Sequence, residues 1–523
     1  MKFFKKTAVA FAVAVALIFA GCASNGTSAV QRDPEVEYQL VVLHTNDHHG
    51  STLSRDGKGG LAERATFVSQ VRQEAENVLL LDAGDLNTGM ALSNMFNAEP
   101  DIKAYNAMGY VAAAFGNHEF DGTLAKLENQ IAISDFEWLS ANVKKGKAYL
   151  GKPYIVKNYE GFRVGIFGLT TQRTKVTASP DKSITFLDEI EVAKEMVNTL
   201  RNKEKCDIVI LLGHCGDVQE TEDQETSLKI AQEVSGIDLI VDGHSHSFFA
   251  EPKFVGSTAV VTSNEWGKYV GKGILTIKDG KITEFDWEPV EITTAAFPPD
   301  SAVEALLAPY VEQANASLND VVLHTTAEFE FGNKLTRYQE MALGDFIADS
   351  MASYLKQNGI EVDFALTNGG GIRAKLPAGD VTREDILTVL PFENYVYVVS
   401  LRGEDLIKLF EFVGSINQGA GGFAQVSKEV RYTITYDENG HGSISGVTIS
   451  GSEIDPQKTY KLATNDFMAK GGDGYEVLLN AVDKFNTSML ISNVVIDYAA
   501  SLEDAITPST DGRITVIGGT LPQ

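Results

Sequence analysis

The sequence predicts an α/β protein: a layered domain of alternating strands and helices, followed by a smaller mixed α/β (α+β) domain. Three observations carry this. The chain has 523 residues, more than one ordinary hydrophobic core organises, so two domains are expected. Over residues 38–290, short apolar runs alternate with longer amphipathic stretches. Beyond a proline-bearing loop and linker helix at 291–319, strand and helix periods mix over 320–523 without that regular alternation. Composition is globular, with 44% hydrophobic and 22% charged residues. The net charge of −27 argues against a protein that coats nucleic-acid polymers, whose phosphates demand a basic footprint. An anionic small molecule stays open, because bound divalent cations and a few arginines reverse the field locally.

At the amino end, Lys2, Lys5 and Lys6 precede an apolar stretch, Thr7 to Ala20, that is short for a bilayer span, the pattern of an export signal over 1–22. Phe19-Ala20-Gly21-Cys22 resembles the lipobox of bacterial lipoproteins, with Phe19 where Leu is usual. The resemblance implies lipidation of Cys22 and a lipid anchor to the membrane. Ala23 after it, rather than Asp, implies the outer membrane where the cell has two. Residues 23–37 read as a polar, small-residue tether, and no transmembrane span is expected in the mature chain.

The first domain opens on LVVLHTNDHHG, Leu40 to Gly50. Val41, Val42 and Leu43 favour extended backbone, and the apolar run ends in metal-ligand side chains. Asp47 and His49 lie two positions apart, on one face, and can converge on an ion where the strand gives way. Further strands are expected at Asn77–Leu81, Tyr110–Phe115, Arg163–Leu169, Asp207–Leu212 and Asp238–Val241, with helices at Leu61–Glu76 and Glu189–Arg201. Ligands of such sheets lie beyond the carboxyl ends of strands. Polar packets stand there: Asp82, Gly84 and Asp85; Gly116 to Glu119 with Asp121; Gly213 and His214; Gly243 to His246. Asp47, His49, Asp85, Asn117, His214, His244 and His246 are seven candidate ligands. That is too many for one tetrahedral ion and suits two divalent ions sharing a carboxylate, with a single-metal site as the alternative. Nitrogen and oxygen donors accept zinc, manganese, iron or cobalt. Cys206 and Cys215 bracket one strand, which extended spans roughly 30 Å, so they should not bridge. Cys215 reads as a core residue although it adjoins His214.

Strands near Ala259–Ser263 and Val270–Ile277 close this half, and the pattern changes over Pro289 to Asp300 before SAVEALLAPYVEQANASL, a linker helix. In the second half, Phe346–Tyr354 and Leu406–Val413 read as helices, and Phe364–Thr367, Tyr395–Ser400 and Val430–Tyr436 as strands. NGGGIR, ending at Arg373, offers close backbone access and a bidentate donor for phosphate. It lacks the GKS or GKT ending of a P-loop. Phe392 in PFEN and Phe467 in NDFMAKGGDGY are candidates to sandwich a purine or pyrimidine, at roughly 1–3 kcal/mol per stack; core packing is the other reading.

Taken together, NDHHG, GDLNTG, GNHEFD, GHCGD and GHSH resemble the motifs of calcineurin-like metallophosphoesterases, specifically the bacterial and animal 5'-nucleotidase family. The resemblance implies a metallophosphoesterase sandwich followed by a nucleotide-specificity domain. It places one metal on Asp47, His49, Asp85 and His246 and the other on Asp85, Asn117, His214 and His244, with Asp85 bridging. It makes His118 and Asp121 the catalytic pair. NGGGIR, LPFENY and NDFMAKGGDGYEVL look like the family's specificity domain, with the base between Phe392 and Phe467, Asn394 at the base, the ribose near Asp473, and Arg373 at phosphate or ribose. The stretch NKLTRYQEMALGD retains Arg337 but has Asn333 where some relatives carry a second arginine, which favours monophosphate substrates. The implied activity is an exported 5'-nucleotidase. The alternatives are a pyrophosphatase acting on NAD or nucleotide sugars, and a surface nucleotide-binding lipoprotein without catalysis; no expected metal position is missing, which weighs against the last.

Overall fold

In the computed structural model, residues 33–522 are described, apart from 179, 220–223 and 333. The leader, Cys22 and residues 23–32 of the tether lie outside the described residues, as does Asn333. The amino-terminal half is two sheets face to face. One runs Lys281–Glu291, Tyr269–Lys278, Glu37–Thr45, Val78–Asp82, Ala112–Ala114, Glu137–Leu139; the other runs Lys253–Val255, Thr258–Val261, Leu239–Val241, Ile208–His214, Arg163–Thr170, Tyr154–Asn158. The central strands of each are parallel; antiparallel pairs close both edges of the second sheet and one edge of the first, whose other edge, Glu137–Leu139, is parallel to its neighbour.

Alternation along the first strand explains the layering. Leu40 and Val42 join Leu79, Ile166 and Ile210 between the sheets, whereas Val41 and Leu43 pack outward with Leu61, Val68 and Ile102 of the covering helices. Helix Glu189–Asn198 covers the outer face of the second sheet through Val192, Ala193 and Met196. With both faces covered, strands read as continuous apolar runs. Each fully buried Leu or Val contributes about 1.5–3 kcal/mol. Cys206 and Cys215 are free and buried in that outer layer.

Several expectations shift at their edges. The strand expected at Asn77–Leu81 is Val78–Asp82, and that at Tyr110–Phe115 shrinks to Ala112–Ala114. The pattern change expected from Pro289 falls inside Lys281–Glu291, an edge strand whose sequence is too polar to signal burial. Proline survives there because an edge strand can spare an N–H.

Helix Ser301–Leu318 starts where the sequence placed it, its N-cap Asp300 accepting hydrogen bonds from the Ala302 and Val303 amides. Val303 and Leu307 pack on the first half, and Ala314 and Leu318 join Ala91 and Leu92. The carboxy-terminal half centres on a five-stranded sheet, Ala424–Val426, Phe364–Asn368, Thr459–Asn465, Tyr395–Arg402, Asp483–Leu490. Helices Ala342–Gln357 and Ile491–Ala500 share one apolar cluster with it, and helix Gly403–Ser415 shares another with Val430 and Ile434 of a three-stranded sheet. No described helix is long and apolar enough to cross a membrane.

Candidate active site

Parallel strands of both sheets end at one rim, which gathers the polar packets. Asp47 and His49 follow Glu37–Thr45, Asp85 follows Val78–Asp82, and Asn117 follows Ala112–Ala114. From the second sheet, His214 ends its strand, and His244 and His246 follow Leu239–Val241. Asp47, His49, Asp85, His244 and His246 have positive φ, between 49° and 81°. Asp and His tolerate this region better than most residues, at a cost of order 1–3 kcal/mol each, which surrounding structure must offset.

The seven candidate ligands stand together. Donor atoms of Asp47, His49 and His246 lie within 4.8 Å of one another, as do those of Asp85, His214 and His244. Asp85 Oδ2 is 3.1 Å from His214 Nε2, and Asn117 Oδ1 is 3.2 Å from the same nitrogen and 2.8 Å from His244 Nδ1. Ring orientation tests whether a cation fits. His49 Nδ1 lies 2.8 Å from the Thr88 carbonyl and His214 Nδ1 2.8 Å from the Ala83 carbonyl. A carbonyl only accepts, so Nδ1 is the donor in each ring and the Nε2 lone pair faces the cluster. His49 Nε2 then sits 3.0 Å from His246 Nε2, whose other ring nitrogen touches Glu265 Oε2. Lone pairs and carboxylates facing one another at this distance repel unless a cation lies among them, so the donor set fits divalent metal. His48 points the other way, with Nε2 3.0 Å from Asp101 Oδ1 and Nδ1 beside Arg64, in a buried structural network.

His118 lies on the following 3-10 turn, its Nδ1 2.6 Å from Asp121 Oδ2 and its amide donating to Asp85 Oδ1 at 2.8 Å. Burial pushes the imidazole toward neutrality, but the charges of Asp121 and Asp85 and the Asp121 hydrogen bond raise its pKa above the ordinary value.

The carboxy-terminal half reaches this rim directly. The Phe392 ring lies 5.6 Å from that of His118, with Arg373 Cζ 5.7 Å from the Phe392 centroid. Asn94 Nδ2 donates to the Pro391 carbonyl at 2.7 Å, and Lys126 pairs with Glu393. Burial, then Arg337, lowers Arg373 to about 10. Arg337 Nε is buried without a hydrogen-bond partner. Asp473 accepts from Asn368 Nδ2 at 2.7 Å, tying NGGGIR to the glycine-rich turn, and the Phe467 ring lies against Gly472 of that turn. The Asn394 carbonyl accepts from the Ile491 amide at 2.9 Å. The ring contacts of Phe392 are therefore with His118 and Arg373, and Phe467 is supported separately.

Three residues shape the site without having been given a role from sequence, Glu119 having been named only as a member of a polar packet. Glu119 accepts from the amides of Gly116 (2.6 Å), Asp85 (3.0 Å) and Asn87 (3.1 Å), cross-linking two ligand loops, while burial and Asp85's charge push it up to about 7. Its place inside GNHEFD was the available signal. Lys334 is largely buried, and burial, then Arg337 and Arg373, lower it to about 8. Burial would raise Glu265, but His246, then Lys268 and Lys334, hold its carboxyl well below the usual range. Glu265 follows the parallel strand Thr258–Val261, so the carboxyl-end rule would have reached it.

Residues 40–248 match the calcineurin-like phosphoesterase family, and residues 321–480 match the 5'-nucleotidase C-terminal domain. A 5'-nucleotidase of Vibrio cholerae is 31% identical, over 93% of this chain and 94% of its own. Protein UshA of Yersinia enterocolitica is 31% identical, over 95% of this chain and 96% of its own. The solved 5'-nucleotidase precursor of Thermus thermophilus superposes with a TM-score of 0.81 at 30% identity, covering 92% of this chain and all of that one.

Proposed function

Because the chain belongs to the 5'-nucleotidase family of calcineurin-like metallophosphoesterases, and so is a metal-dependent phosphoester hydrolase, we propose that it is an exported dimetal enzyme releasing phosphate from nucleoside 5'-monophosphates. The observation that carries this reading is the convergence of three groups on one rim: the His/Asp/Asn donor set, the His118–Asp121 pair, and Phe392 with Arg373 from the other half. Asp47, His49, Asp85 and His246 would hold one ion, and Asp85, Asn117, His214 and His244 the other. When bound, two such ions supply Lewis-acid charge neutralisation and an activated water.

The chain's own residues account for the rest. A ribose 5'-oxygen leaves poorly as an alkoxide, so it needs a proton or a compensating charge. Asp121 and Asp85 bias His118 toward the imidazolium, which would supply one or the other from Nε2, Nδ1 being engaged with Asp121. Arg373 and Arg337, cations with few protein partners, are suited to phosphate oxygens. Phe392 and Phe467 would stack on the base, Asn394 would contact it, and Asp473 would accept from ribose hydroxyls. The preference for monophosphates rests on Asn333. It would be abandoned if ATP or a nucleotide sugar were turned over with higher kcat/KM than AMP. Export, the domain limits at 38–290 and 320–523, and lipid anchoring through Cys22 to the outer membrane rest on the sequence.

The test is phosphate release from AMP by protein lacking its leader, stripped of metal and resupplied with manganese or zinc. Release that depends on metal, and is lost in His118→Ala with metal content intact, supports the proposal. AMP accumulating from NAD, with no phosphate from AMP itself, assigns a pyrophosphatase instead.

A further inference from the structure

Around Asp47 and His246 the strongest constraint comes from outside the ligand set. The loop at 263–267 is fastened to both residues. Trp266's amide donates to the Asp47 carbonyl at 2.7 Å, Asn264 Nδ2 to the His246 carbonyl at 3.0 Å, and Asn264's amide to the Ser247 carbonyl at 3.0 Å. From the opposite side Asn46 Nδ2 donates to Asp47 Oδ2 at 2.7 Å and to the Asn264 carbonyl at 2.5 Å, while Asn46 Oδ1 accepts from Ser263. Gly267 lies hard against buried Arg64, where a Cβ would come within 1.9 Å of the guanidinium, so the loop has no slack.

This loop delivers one charged group inward. Glu265 is mostly buried; its Oε2 touches His246 Nδ1, and its Oε1 is 3.5 Å from Lys268 Nζ, which itself lies over the Trp266 ring. Among the described residues, the groups whose donor atoms cluster within 4.8 Å include His246 with Asp47 and His49 but not Glu265. Its carboxylate is therefore placed behind the ligand, not beside it.

We propose that Glu265 is a positioning residue that acts through His246: it keeps the proton on Nδ1 and fixes the ring so that Nε2 faces the ion shared with Asp47 and His49. The inference rests on the reading of His246 as a ligand. Imidazole binds metal as a neutral donor, so an acceptor behind the ring selects the tautomer and raises the basicity of the binding nitrogen. Nearby, His49 and His214 have backbone carbonyls in this role. His246 has a carboxylate, a stronger acceptor, which pairs the most exposed of these three rings with the most polarising support.

The test is titration of metal-stripped protein with Zn2+ and with Mn2+, read as the number of equivalents and the affinity of each by calorimetry and bound-metal analysis. It compares wild type, Glu265→Ala, Glu265→Gln, His246→Ala and the Glu265→Ala/His246→Ala double variant, each checked for an unchanged apo melting temperature. The expected result is two equivalents in wild type, with one weakened about 10- to 100-fold in Glu265→Ala and partly restored in Glu265→Gln, which keeps an acceptor. In the His246→Ala background, loss of Glu265 should add nothing. Wild-type affinity for both equivalents in Glu265→Ala, alongside loss of one in His246→Ala, overturns the role of Glu265. An undiminished effect of Glu265→Ala without His246 overturns the route. Two intact equivalents in His246→Ala itself overturn the ligand assignment beneath it.

Discussion

Gly116→Ala should disable the metal centre while leaving the fold standing. A Cβ at Gly116 would lie 2.1 Å from Asp85 Oδ1, 2.5 Å from its amide nitrogen and 2.8 Å from its Cγ. Ordinary van der Waals separation requires Oδ1 to withdraw by more than about 1 Å. It cannot do so freely: Oδ1 accepts from the His118 amide at 2.8 Å, and the Asp85 and Gly116 amides both donate to Glu119 Oε2. Displacing a reacting group by about 1 Å costs on the order of 100-fold in rate, and overpacking such a site costs about 1–3 kcal/mol of stability. The expected outcome is at least a 100-fold fall in kcat with AMP and loss of bound metal, in a protein that still melts cooperatively. Gly122→Ala is the matched control, because its Cβ would meet just the Lys126 side chain, Cδ at 3.3 Å and Cβ at 4.0 Å, along a flexible chain. Wild-type kcat and retained metal in Gly116→Ala would refute the claim that Asp85, held by the His118 amide and Glu119, cannot yield to a Cβ at position 116.

Asp121→Asn should move the alkaline limb of the kcat/KM profile to lower pH. On the proposed role His118 acts as the imidazolium, so activity would fall as pH rises through its pKa, and one of the two carboxylates that raise that pKa would be gone; a limb that stays in place at unchanged metal content rejects His118 as the titrating acid. Phe467→Ala should raise KM for AMP by about 5- to 150-fold, the equivalent of roughly 1–3 kcal/mol of stacking, with kcat little changed. An unaltered KM in a variant of normal melting temperature would return Phe467 to core packing against Gly472.

The division between the two halves of the problem is physical. The apolar runs and the polar packets after them were legible because a strand buried on both faces must be apolar throughout, and because rim chemistry begins where burial ends. The linker helix was legible from the long run SAVEALLAPYVEQANASL that follows the proline-bearing loop. Edge strands were not: Lys281–Glu291 alternates too weakly, and Tyr154–Asn158 and Asp483–Leu490 border solvent, where selection on hydrophobicity is loose.

At the site, spacing by two singled out Asp47 and His49 in the sequence, but the strand ends at Thr45 and both residues have positive φ, so the loop and not strand alternation sets them apart from His48. By itself the sequence determined which residue types stand at the rim and, through its motifs, the family to which they belong. Tertiary structure alone decided which ring nitrogen faces inward, because that depends on carbonyls of Ala83 and Thr88 far along the chain. It also decided that Glu265 backs His246, that Glu119 joins two loops, and that Phe392 lies against His118. Apart from Glu119–Gly116, those are contacts between residues 19 to 274 positions apart, set by how the sheets pack and how the second half docks, and no local pattern encodes them.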